Sequence, residues 1–160
     1  MDRDKLKLQL IMHEGLRLTT YRCPGGKLTI GIGHNLDADG GDAGRILGRP
    51  IMAGSYITRE EALELLEHDI DCTLPLLKAL YLDWDHLSDN RQRVLTDMCF
   101  NLGIGGLKKF NKMNAMLMTG DYHEAAYQML DSRWAAQVGK RAERLARAMS
   151  GDVDPLDVRV

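Results

Sequence analysis

The apolar pattern of the chain changes character at residue 58, with strand-like alternation confined to the residues before it. Residues 3–13 place Leu6, Leu8, Leu10, Ile11 and Met12 along one side of a helix, and Gly15 is expected to stop it. Beyond Gly15, LRLTTYR and KLTIGIG alternate and contain β-branched residues. The CPGG between them supplies turn chemistry, so the pair predicts a β-hairpin. The glycine- and aspartate-rich HNLDADGGDAGRILGRPIMAGSY reads as loop with one short helix.

From Thr58 onward the period becomes helical. TREE predicts a capping box, in which the Thr58 hydroxyl accepts from the Glu61 amide while Glu61 reaches back. Apolar residues at 62, 63, 65, 66 and 70 extend a long helix to about Thr73, with Pro75 kinking it or starting another. SDNRQRVLTDMCFNLG predicts a helix capped by Ser88 and ended at Gly103. KFNKMNAMLMTG predicts one stopped by Gly120, and DYHEAAYQMLDSR one capped by Asp121. A last helix is expected over 139–149, and GDVDPLDVRV as a loosely held tail. The ordering predicts an α+β, predominantly helical fold. A small N-terminal lobe (1–57) would carry a β-hairpin or short antiparallel sheet, 58–80 a long connecting helix, and 81–160 an all-helical lobe.

Composition narrows the function classes. A chain of 160 residues with 44% hydrophobic and 28% charged content is globular, long enough for one core or two small lobes sharing an element. A net charge of −2 argues against nucleic acid as a partner. The basic run SRWAAQVGKRAERLARAM, with Arg133, Lys140, Arg141, Arg144 and Arg147 against Glu143, reads as a solvated helix face. The N-terminal MDRDKLKLQLIMHEG is broken by charge and reads as neither a signal peptide nor a membrane span, so no membrane insertion is expected. Cys23, Cys72 and Cys99 are expected to be reduced thiols. Histidines and cysteines lack metal-ligand spacing, and GIGHNL lacks the lysine and setting of a phosphate loop, so neither metal nor cofactor is expected.

Candidate chemistry centres on Glu14, a single acid in the otherwise uncharged or basic MHEGLRLTTYRCPGGKLT. At a helix C-terminus the dipole already presents negative charge, so a carboxylate there is awkward and invites a functional role; a fraying surface end is the plainer account. HEGLRLTTYRCPGGKLTIGIGHNL resembles the phage-type lysozymes, the muramidase endolysins. Their pattern is Glu, eight residues, Asp or Cys, five residues, Thr, and Glu14, Cys23 and Thr29 fit it without a gap. The resemblance extends to TREEALELLEHDI, CFNLGIGGLKKF and DSRWAAQVGKRAERL, nearly the whole chain.

It implies the two-lobed fold and hydrolysis of the β-1,4 bond between N-acetylmuramic acid and N-acetylglucosamine in the glycan strands of bacterial peptidoglycan. Glu14 would be the proton donor, with Cys23 and Thr29 beside the attacking water. Three readings of Cys23 stay open: thiolate base, nucleophile, or a small packing residue. A free thiol titrates near ~8.5, and strand alternation turns Arg22 away from it. Inversion of anomeric configuration is expected. The resemblance further implies an ion pair of Arg141 with Glu14, a structural pair of His34 with Asp69, and a cleft wall of Asn35, Phe100 and Asn101. Core packing accounts for Phe100 equally well. A monomer is expected, held in the cytoplasm until a holin-type lesion releases it. Two alternatives remain: a lytic transglycosylase using Glu14 alone, and a non-enzymatic glycan-binding or structural module.

Overall fold

A computed structural model describes residues 1–37 and 42–157, so part of the predicted loop (38–41) lies outside the described residues. The chain divides into two compact units, Leu10–Cys72, and Met1–Gln9 together with Thr73–Val160. The α+β, mainly helical class holds: a small antiparallel sheet precedes a helical remainder. Among the described residues, no helix is long and apolar enough to cross a membrane.

The first unit holds the end of α1 (Arg3–Glu14), a three-stranded sheet, α2 (Asp42–Leu47) and the first part of α3 (Arg59–Leu80). Strands β1 (Arg17–Arg22), β2 (Leu28–Gly31) and β3 (His34–Asn35) pair antiparallel in that order. Register sets Thr29 opposite Tyr21 on one side and Asn35 on the other. Neighbouring Ile30 points the other way, as strand alternation requires, and enters a core with Ala43, Ile57, Ala62 and Leu65. The capping box forms as expected, Glu61 N donating to Thr58 Oγ1 at 3.1 Å and Thr58 N to Glu61 Oε2 at 2.8 Å.

The second unit packs α4 (Asp89–Lys108), α5 (Asn111–Thr119), α6 (Tyr122–Leu130), α7 (Arg133–Val138) and α8 (Lys140–Gly151) around Leu95, Met98, Met113, Met129, Trp134 and Leu145. Ser88 and Asp121 cap their helices through the amides of Arg91 and Glu124. Two features, the short α7 and the tail, depart from the sequence reading, while the expected 58–80 helix holds. α3 continues through Pro75 to Leu80, because proline removes one ladder bond while Leu77 beyond it is completely buried. The Ser88-capped helical run stops at Gly103 as expected, where φ of 70° and ψ of 162° lie outside the helical region, and α4 resumes past that kink to Lys108. α7 is six residues long, too short to show a period, and is capped by Ser132. The tail is pinned: Asp154 accepts from Lys5 and Arg93, each at 2.9 Å, and Pro155 is buried.

Arg93, with no exposed surface, donates to Asp89, Asn90 and Asp154, and to Gln9 Oε1 at 3.0 Å. Gln9 passes the chain on to Asp97, also without exposed surface, at 2.7 Å. Buried charges persist only when so compensated.

Candidate active site

Glu14 closes α1, and Gly15 N caps that helix by donating to Ile11 O at 2.9 Å. The half-buried side chain lies against the turn between β2 and β3. There Gly33 adopts a φ of +70°, and a Cβ on it would stand 3.2 Å from Glu14 Oε2 and 3.3 Å from its Cγ. A residue without a side chain is therefore favoured at position 33 on two counts, backbone and space.

Thr29 is 3% exposed and donates from Oγ1 to Lys27 O at 2.9 Å. Cys23 lies just past β1 in the turn that closes the hairpin, where its N–H donates to Lys27 O and its carbonyl accepts from Gly26 N. Burial pushes the half-buried thiol up. The amides of Lys27 and Gly25, the Thr29 hydroxyl and the Lys27 charge more than offset this, so the thiol sits below its ordinary value. Thr29 has one hydrogen to give, either to Lys27 O or to the sulfur, and its lone pairs stay available to a water. Arg22 donates to Gly26 O at 2.8 Å and plays no part at the sulfur, as alternation indicated. Cys99 shows the contrast: burial alone pushes that thiol up to about 11. The sequence reading missed the turn amides around Cys23; the CPGG motif was the signal, since tight turns point successive N–H groups inward.

His34, 6% exposed, faces Asp69 on α3, Nδ1 lying 2.8 Å from Oδ2. This joins β3 to α3 as the resemblance implied. Asn35 spends Oδ1 on the Asp37 amide at 2.9 Å, an Asx turn that leaves its NH2 group for other partners. Glu14, Cys23, Thr29, His34, Asn35 and Asp69 thus belong to one unit, and Phe100, Asn101 and Arg141 to the other. There Phe100 is half-buried. The exposed Asn101 accepts from Trp134 Nε1 at 2.8 Å. Arg141 is 9% exposed and donates to Asp97 Oδ1 at 2.8 Å, so it leaves the solvated face on which Arg133, Lys140 and Arg147 remain. Among the described residues, no group of three His, Cys, Asp or Glu could hold a metal ion.

A carboxyl group seated in a glycine turn, with a thiol and a hydroxyl on the adjoining hairpin, is a donor set suited to handling protons and water. The chain belongs to the phage lysozyme family, whose model matches residues 12–149. It is 33% identical to the pre-baseplate central spike protein Gp5 of Enterobacteria phage T4, over 92% of this chain but 28% of that protein's length. It is 29% identical to a probable T4-type lysozyme 2 of Dictyostelium discoideum, covering 88% of this chain and 90% of the relative. An endolysin of Acyrthosiphon pisum secondary endosymbiont phage 1 is 30% identical over 81% of this chain and 77% of its own.

Proposed function

We propose that the protein is a peptidoglycan hydrolase that cleaves the β-1,4 bond between N-acetylmuramic acid and N-acetylglucosamine. The observation carrying this reading is the seating of Glu14 on Gly33, in the turn that follows the strand bearing Thr29. Family membership and the endolysin and lysozyme relatives support it. Glu14 gives its proton to the bridging oxygen as the bond from that oxygen to the anomeric carbon breaks. Water, held by Thr29 and Cys23, adds to the anomeric carbon from the opposite face and releases its proton to the Cys23 sulfur or to solvent. The amides that lower the Cys23 thiol favour a thiolate acceptor over a packing residue. Direct attack by water gives an inverted product.

Product analysis of purified peptidoglycan treated with parent and Glu14→Gln protein tests the reading. Expected are new reducing ends from the parent and none from the variant. An anhydro sugar, one water lighter, would instead establish the transglycosylase, and retained configuration a Cys23 nucleophile. The spike relative, of which this chain spans only 28%, favours a second reading: a glycan-binding module of a larger assembly. A Glu14→Gln protein as lytic as the parent would leave that reading standing.

A further inference from the structure

β-pairing brings Tyr21 to the candidate site. It lies directly across from Thr29, so the two side chains share one face of the sheet, and Cys23, two residues on, follows the same alternation. The ring is fixed from outside by Arg17, whose guanidinium carbon lies 4.5 Å from the ring centroid. Burial first, then the charges of Glu14 and Cys23, raise the phenol, and Arg17 offsets only part of this. Those two groups therefore lie near enough to the ring for their charges to act on it. The residue is half-buried, and among the described residues its hydroxyl makes no hydrogen bond. A ring held by Arg17, with an unspent O–H on the sheet face it shares with Thr29, is a donor awaiting an acceptor. Saccharide hydroxyl and N-acetyl oxygens are such acceptors.

We infer that Tyr21 is a substrate-binding residue, its phenol donating a hydrogen bond to an oxygen of the amino sugar that lies over Cys23 and Thr29. The inference rests on the hydrolase reading for the identity of the sugar. A phenol raised above its ordinary value stays protonated, and so remains a donor, at neutral pH. The contact forms in the bound ground state and persists through the reaction, so its loss is read in KM more than in kcat.

Tyr21→Phe removes only the hydroxyl and keeps the ring under Arg17. On purified peptidoglycan, about a tenfold fall in kcat/KM is expected, about 1.4 kcal/mol, carried by KM and with Tm unaltered. A second arm needs no turnover. In a Glu14→Gln background, Tyr21→Phe should weaken binding of the β-1,4-linked tetramer of N-acetylglucosamine about fivefold, measured by NMR titration. Parental KM and parental binding in the Phe variant overturn the inference, as does a fall in Tm with binding unaltered, which marks a structural role. Should the parent release no reducing ends, the hydrolase reading falls while the binding arm still decides Tyr21: weakened binding sustains the contact, and unaltered or absent binding removes it.

Discussion

Gly33→Ala puts the Glu14 assignment under its most direct test. Two effects can be separated. Position 33 has a φ of +70°, where an L side chain costs about 1 kcal/mol relative to glycine. In addition, the new methyl would stand 3.2, 3.3 and 3.4 Å from Oε2, Cγ and Cδ of Glu14, so the acid must yield by a few tenths of an ångström. Gly31 supplies the control. Its φ is +67°, but a methyl there meets Ala62 Cβ and Ile57 Cδ1 at 3.4 Å, ordinary contact, on the core side of the sheet. Both alanine variants should lose about 1 kcal/mol, which in a chain of this size lowers Tm by about 2–4 °C. Only Gly33→Ala should lose activity. A misplacement of about 1 Å costs about a hundredfold, so a few tenths should cost about tenfold in kcat. Thermal melts and initial rates of reducing-end release, taken well below Tm, measure both quantities. Equal activities in the two variants at matched stability would falsify the claim that the Glu14 position governs the rate.

Three further outcomes are expected. If Cys23 accepts a proton as thiolate, parental kcat/KM climbs with pH through a value below the ordinary thiol range. Cys23→Ser should lose that limb, whereas superimposable pH profiles would reduce the residue to packing. Burial raises the Asp154 carboxyl, but the Leu156 amide, Lys5 and Arg93 overcompensate and hold it at about 2. The folded state then binds fewer protons than the unfolded chain below about pH 4. Stability of about 1–2 kcal/mol, discounted for partial exposure, is present above that pH and is lost as pH falls toward 2. Asp154→Asn should flatten that acid limb in urea titrations, and an unaltered limb would show that the tail bond contributes nothing. Asp69→Asn weakens the partner of a His34 that is only 6% exposed, and should cost about 1–3 kcal/mol in denaturant unfolding. A parental midpoint would show the pair to be dispensable.

Much of this was legible along the chain, because the relevant forces act over a few residues. The Thr58–Glu61 box, the Ser88 and Asp121 caps and the helix stop at Gly15 each depend on groups within one turn of one another. Alternation in β1 and β2 put Thr29 and Ile30 on opposite faces, and the resemblance to the phage-type lysozymes marked Glu14, Cys23 and Thr29 as the candidate site. The 58–80 helix was legible, but whether Pro75 would kink or divide it was not, since burial of Leu77 outweighs a local rule that counts one lost bond.

Tertiary structure alone decided what those residues experience. The approach of Gly33 to Glu14, the coupling of Arg141 to Asp97, the anchoring of the tail by Arg93 and the meeting of Tyr21 with Thr29 join groups from different segments of the chain. The acidity of Cys23 likewise follows from which amides a turn aims at its sulfur. The energy of a charge, a thiol or a phenol is set by the groups that desolvate and face it. That environment is built by packing, on which residue order bears only through the completed fold.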